Sequence, residues 1–211
     1  MSSGHAPTDP ALLAALESQR RLRVEDYHRM VAAGVFDEDE RLELLEGVIV
    51  PTSPRSPRHA VVITRLCDPR FAAVGPDCLL CAQLPLTLEP DSEPEPDVAI
   101  VRRGEEGDRH RHPSSALAVF EVASDSLRKD RLAKAVLYAQ ADIPEYVIVN
   151  LAQECLEVHR DPDPKGRRYR TLTTLGGTDR FESASVGCLT SLVAVLLALP
   201  VAWRLCRGSP R

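Results

Sequence analysis

The chain has 211 residues and a formal net charge of −5, with 44% hydrophobic and 27% charged residues but only 4% aromatic ones. This is an ordinary composition for a soluble globular protein, and the length suits one domain with modest extensions. The acidic total argues against a generally basic nucleic-acid binder, so any such function must rest on how charge is distributed.

In chain order, residues 1–20 read as a loose leader, with a short helix over 10–20. A helix is expected over 24–33, closed by Gly34, since glycine favours the position after a helix end. Residues 41–50 form two apolar-rich runs around Glu46-Gly47, the pattern of a β-hairpin. A proline-rich loop covers 51–57. Helical spacing through Val62, Leu66 and Arg70 then predicts a helix over 59–71. Three strands follow, over 79–88, 97–102 and 117–123. The next helix, over 127–141, ends before Ile143-Pro144. Residues 146–150 read as an apolar strand. A final strand pair, 155–159 and 169–175, is joined by the turn-rich segment 161–166. The uncharged stretch 186–203 fits a buried strand followed by a short apolar helix or strand, with a terminal anchor as the alternative. The expected architecture is a mixed α/β domain over 21–199. A central mixed sheet is flanked by helices, with an N-terminal helix and β-hairpin, extra C-terminal strands, and a tail over 200–211.

Positive charge gathers at Arg102, Arg103, Arg109 and Arg111, at Arg128, Lys129, Arg131 and Lys134, and at Lys165, Arg167, Arg168 and Arg170. Such clusters either rim a phosphate-binding site or are solvated loops and helix faces. The six cysteines follow no basic-then-apolar leader, so reduced thiols and a cytoplasmic location without membrane attachment are expected. Cys78 and Cys81 form a C-x-x-C without the second pair that a zinc ribbon needs, so they are read as structural.

The strongest chemical signal is a pair of carboxylates at apolar strands. Asp97 opens Val98-Ala99-Ile100-Val101, and Glu121 sits within Ala118-Val119-Phe120-Glu121-Val122-Ala123. A carboxylate in such a run costs several kcal/mol unless it is paired or bound to a cation. Two of them on adjacent strands can converge on a hard divalent ion, which takes few carboxylates and several waters. The other solution is a buried salt bridge, for instance between Glu121 and Lys134. Asp130, Lys134 and Tyr138 stand at i, i+4 and i+8 and share one helix face. Leu132, Ala135, Val136 and Ala139 fall on another, suited to packing on the sheet. Lys134 either reaches back toward Glu121 or pairs with Asp130 at the surface.

Several ordered segments resemble one family. They are Arg41-Leu-Glu-Leu-Leu-Glu-Gly-Val-Ile-Val, Ser56-Pro-Arg-His59, Glu93-Pro-Glu-Pro-Asp-Val-Ala-Ile-Val and Phe120-Glu-Val-Ala-Ser-Asp-Ser. The stretch from Asp130-Arg-Leu-Ala-Lys to Pro144-Glu-Tyr-Val-Ile-Val-Asn150 completes the set. Together they resemble the Uma-type family of putative restriction endonucleases of bacteria, within the PD-(D/E)XK nuclease superfamily. The resemblance implies a restriction-endonuclease-like core that binds Mg²⁺ or Mn²⁺ through Asp97 and Glu121. Glu43 matches an acidic position in the first hairpin and would be a third or water-mediated ligand. His59, at the start of the following helix, would touch phosphate or metal, and Gln83 would line the site from a strand.

The position two after Glu121, lysine in the general motif, is Ala123 here; Lys134 is the natural replacement. The expected activity is metal-assisted hydrolysis of DNA phosphodiester bonds, with Asp97, Glu121 and Lys134 catalytic and Arg128, Lys129 and Arg131 holding the backbone. A homodimer would suit double-strand cutting. The rival readings are an inactive nuclease-fold module that binds DNA or serves an assembly, and a structural protein whose carboxylates and Lys134 form an ionic network.

Overall fold

A computed structural model describes residues 19–192 and 197, apart from 38, 53–55, 70–73, 109–110, 125 and 188. Helix α1 (Val24–Ala32) begins where the Asp26 carboxylate accepts a hydrogen bond from the Arg23 amide, and it is followed by Gly34 at φ +67°. Strands β1 (Leu42–Leu45) and β2 (Val48–Pro51) form an antiparallel hairpin. Helix α2 (Pro57–Leu66) starts two residues before the predicted position. Ser56 caps it by accepting the His59 amide through Oγ, and Pro57 occupies the first turn, where a missing N–H is harmless.

The central sheet holds β3 (Cys78–Ala82), β4 (Val98–Arg102), β5 (Ala118–Ala123), β6 (Glu145–Asn150), β7 (Cys155–Asp163) and β8 (Arg168–Gly176), neighbouring one another in that order. All pairs are antiparallel except β5 with β6. That parallel pair needs a crossover, and a helical segment supplies it. The segment runs from α3 (Leu127–Lys129) through a π-helical turn (Asp130–Lys134) into α4 (Ala135–Gln140). Strands β5 and β6 are buried along their whole length, which is why they read as continuous apolar runs. A small pair, β9 (Arg180–Glu182) and β10 (Thr190–Leu192), follows the sheet.

Each sheet face has its own core. On one, Val62, Ile63 and Leu66 of α2 cover Val98, Ile100, Phe120, Val122 and Val147, and Phe181 meets Phe120 edge-on at 5.9 Å. On the other, Ala135, Leu137 and Tyr138 of the crossover pack with Val119, Ala123, Tyr146 and Ile148, joined by Leu45 of the hairpin. Cys78 packs on the first core and Cys81 on the second, so the C-x-x-C side chains are on opposite faces, as residues three apart on a strand must be.

Three expectations need correction. The strand predicted over 79–88 stops at Ala82, because Gln83 adopts φ +54° and breaks the pleat. Leu86 and Leu88 are nonetheless buried in the second core. The helix predicted over 59–71 gives way at Cys67, and residues 70–73 lie outside the described ones. The helix over 127–141 is present, but its buried face differs from the expected one. Leu132 is 63% exposed, whereas Asp130 and Lys134 are 2% and 3% exposed. A π turn closes i→i+5 bonds and so admits one extra residue per turn, which shifts the inward-facing set. The predicted leader and most of the 186–203 stretch fall outside the described residues. Among the described residues, no helix is long and apolar enough to cross a membrane.

Candidate active site

Val98 pairs with Phe120, so Asp97, one residue before β4, lies beside the second half of β5. Its Oδ2 accepts the Val122 amide at 2.8 Å and faces His59 Nε2 at 3.0 Å. The cap that starts α2 at Ser56 puts His59 within reach of the carboxylate. Glu121 belongs to the alternate positions of β5 that face the crossover, together with Val119 and Ala123. Its Oε1 accepts both Lys134 Nζ at 2.7 Å and the Tyr138 hydroxyl at 3.0 Å. The π turn is what brings Lys134 inward, and Tyr138 follows four residues later on α4.

Glu43 comes from β1 and has a fully buried side chain. Lys129 Nζ donates to its Oε1 at 2.7 Å, Lys134 Nζ stands 3.1 Å from its Oε2, and the Glu95 amide donates to the same oxygen at 3.3 Å. Lys134 is therefore shared between Glu121 and Glu43, and the surface pairing with Asp130 does not form. Asp130 instead accepts the Ser126 hydroxyl at 2.7 Å.

The electrostatics follow from this crowding. Burial, reinforced by the Asp97, Asp130 and Glu43 charges, pushes the Glu121 carboxyl up to about 8 although Lys134 opposes it. Burial also disfavours the Lys134 ammonium, but Glu121, Glu43 and Asp130 together outweigh it and raise its pKa. For Asp97, the upward push of burial is overcome by His59 and the Val122 amide. For Glu43 it is overcome by Lys134 and Lys129. Asp130 is raised, chiefly by burial.

These groups open on a cleft of about 40 Å³, enough for a few waters, whose mouth also carries Arg41, Ser126 and Lys129. Its donor set is mostly hard oxygen, suited to Mg²⁺ or Mn²⁺. Among the described residues, Asp97 Oδ1 and Glu121 Oε2 accept no hydrogen bond, so each of the two carboxylates keeps one oxygen for a cation. The residues present thus fit a divalent ion held by two carboxylates and water.

They do not fit the expected third ligand. Among the described residues, no three His, Cys, Asp or Glu side chains form a group able to hold a metal, and both Glu43 oxygens are taken by lysines and an amide. Gln83 does not line the cleft; it sits beyond the end of β3, where its amide donates to the Asp97 carbonyl.

The basic residues divide by location. Arg128 is exposed on α3, beside the site. Lys129 is committed to Glu43, and Arg131 to Glu157 through two hydrogen bonds of 2.7 and 2.6 Å. Arg41 pairs with Glu95, and Arg58 with Glu154. Arg102 and the 165–170 cluster sit at the other end of the sheet, where β4 ends and β7 turns into β8, so they do not rim this cleft.

Sequence reasoning places Tyr138 and Asp130 on one helix face, with Asp130 only as an alternative surface partner for Lys134 and no role for Tyr138. The i, i+4, i+8 spacing was the only signal available for them. Ala123 is fully buried against the crossover on the same face as Glu121, so the ammonium that the general motif draws from this strand position comes here from the helix packed above it.

The model of the Uma2 family, described as putative restriction endonuclease, matches residues 24–193. Among solved structures, the chain resembles a putative nuclease belonging to DUF820 from Anabaena variabilis ATCC 29413. The TM-score is 0.62 and the identity 10%, with 84% of this chain and 98% of that one covered. No curated protein matches.

Proposed function

Because the chain belongs to the Uma2 family of putative restriction endonucleases, we propose that it is a metal-dependent endonuclease hydrolysing DNA phosphodiester bonds. One observation carries this reading. Asp97 and Glu121, at adjacent strands, each keep an oxygen that takes no donor among the described residues, beside a buried ammonium that touches one of them. Asp97 and Glu121 would hold Mg²⁺ or Mn²⁺. Bound there, such an ion lowers the pKa of a water and neutralises charge on the phosphate.

The other roles follow from the contacts of the chain itself. His59 orients Asp97 through Nε2. Lys134, kept charged by the carboxylates around it, places a fixed positive charge beside the reacting phosphate, a preorganised electrostatic contribution that needs no rearrangement during the reaction. Glu43 holds Lys134 and Lys129 in place. Lys129, with 27% of its side chain exposed at the cleft mouth, and Arg128 on the surface of α3 meet the nucleic-acid backbone without reading bases.

The test is cleavage of plasmid and single-stranded DNA with Mg²⁺, Mn²⁺ or EDTA. Asp97→Asn and Glu121→Gln should each abolish metal-dependent cleavage while circular dichroism stays that of the parent chain. Cleavage retained by both variants refutes the assignment.

A second reading is an inactive nuclease-fold module that binds DNA or serves an assembly. It is favoured by the pairing of Arg41, Arg58, Lys129 and Arg131 with carboxylates, which leaves less positive charge for a substrate backbone. Mn²⁺ binding without cleavage of any nucleic acid would select it.

A further inference from the structure

Asp97 and Glu121 are held alike. In each, one oxygen takes two protein donors and the other takes none among the described residues. For Glu121 the two donors differ in stiffness. Lys134 has a flexible four-carbon stem and divides its ammonium between Glu121 and Glu43. Tyr138 is fully buried and its ring lies against Tyr146 at 5.0 Å, so its hydroxyl has a fixed position. Contact with Lys134 alone would let the carboxylate turn about its last bond. Two donors converging on Oε1 fix its plane and direct Oε2 toward the cleft.

Tyr138 also stands apart from its neighbours. Tyr146 and Tyr169 of the same aromatic cluster send their hydroxyls to backbone carbonyls, of Asp130 and Ile143, as buried tyrosines with purely structural roles do. Tyr138 sends its hydroxyl to a site carboxylate.

We propose that Tyr138 is the positioning residue for Glu121, holding Oε1 so that Oε2 is presented to the divalent cation. This rests on the metal-site reading above. Donors that orient a metal-binding carboxylate typically account for 10- to 100-fold in affinity or activity.

The test is Mn²⁺ binding, followed by the electron paramagnetic resonance of the free ion, in the full chain without nucleic acid. Tyr138→Phe should weaken Mn²⁺ binding at least ~10-fold. Tyr146→Phe, which deletes an equally buried hydroxyl that does not touch Glu121, should leave it within about twofold. Equal binding by Tyr138→Phe and the parent chain overturns the proposal, as does equal weakening in both variants. Should Tyr138→Phe not fold, 4-methylphenylalanine and 4-aminophenylalanine at this position carry the test. Both fill the space of the hydroxyl but only the amine donates, so affinity should fall with the first and persist with the second. The same affinity with both overturns the proposal. Glu121→Gln separates the two levels. If it loses Mn²⁺ while Tyr138→Phe does not, only the role of Tyr138 fails; if the parent chain binds no Mn²⁺, the metal site fails and this inference with it.

Discussion

Lys134→Met removes the ammonium shared by Glu121 and Glu43 while keeping most of the side-chain volume. Lys134 is 3% exposed, and the two carboxylates stand 2.7 and 3.1 Å from its Nζ. Glu43 retains Lys129, so Glu121 is the group left uncompensated. Removing one partner of a buried ion pair costs about 3–5 kcal/mol, a large part of the roughly 5–15 kcal/mol that holds a domain folded. At roughly 2–4 °C per kcal/mol for a domain of this size, the melting midpoint at pH 7 should fall by about 6–20 °C.

Adding Glu121→Gln to Lys134→Met removes a carboxyl that, without the lysine, must either stay ionised and unpaired or take up a proton to be buried, so the double variant should melt above Lys134→Met alone. The pH dependence has a definite sign. Glu121, pushed up to about 8 even beside Lys134, takes up a proton on folding. Its stabilisation is complete below the unfolded value of 4.5 and is lost as pH rises through the folded value, so Lys134→Met should be more stable at pH 5.5 than at pH 8. Calorimetry of the single and double variants is the assay. A loss under about 3 °C, or a double variant no more stable than Lys134→Met, would refute the reasoning that burying Glu121 depends on the lysine.

Other residues make separate predictions. Glu145 is fully buried and holds Arg160 at 2.6 Å, the Ser183 hydroxyl and the Ala184 amide, so Glu145→Ala should lose about 3 kcal/mol in urea denaturation and speed amide exchange over 183–186. His159 lies between Tyr146 and Tyr169 with Nε2 buried and without a hydrogen-bond partner among the described residues, and burial lowers its pKa below 6.5. Its neutral form contributes stability above pH 6.5 that is lost as pH falls through the folded value; His159→Phe should flatten the decline in urea midpoint between pH 7 and 5. Arg128→Ala should weaken DNA retention and reduce its salt dependence while leaving the melting midpoint unchanged, because Arg128 is exposed. Arg131→Ala should lower stability by about 1–2 kcal/mol, discounted because 42% of the Arg131 side chain reaches solvent, since it strands the buried Glu157.

Much of this protein was legible in one dimension. Strands β5 and β6 announced themselves because they are buried on both faces and must be apolar throughout. Gly34 marked the end of α1 because the chain there takes a left-handed conformation. Asp97 and Glu121 stood out because charge inside an apolar strand demands a partner. Three features were hidden. Gln83 carries no mark of the positive φ that ends β3, and the buried positions of Leu86 and Leu88 prolong the apolar pattern past the break. The π turn is invisible to a 3.6-residue period, so Leu132 was turned inward, where the fold exposes it, and the choice for Lys134 between Glu121 and the surface stayed open until the fold buried it. Glu43 was singled out only as an acidic position of the first hairpin, and nothing in that pattern shows that β1 brings it against Lys129 and Lys134. By itself the sequence determined which segments are buried and which two carboxylates need a partner, because hydrophobic periodicity and desolvation act along the local chain. Only the tertiary structure decided that Tyr138 joins Lys134 on Glu121, that His59 meets Asp97 and that Lys129 and Lys134 meet Glu43, because those contacts depend on how separate elements pack, and no local pattern encodes that.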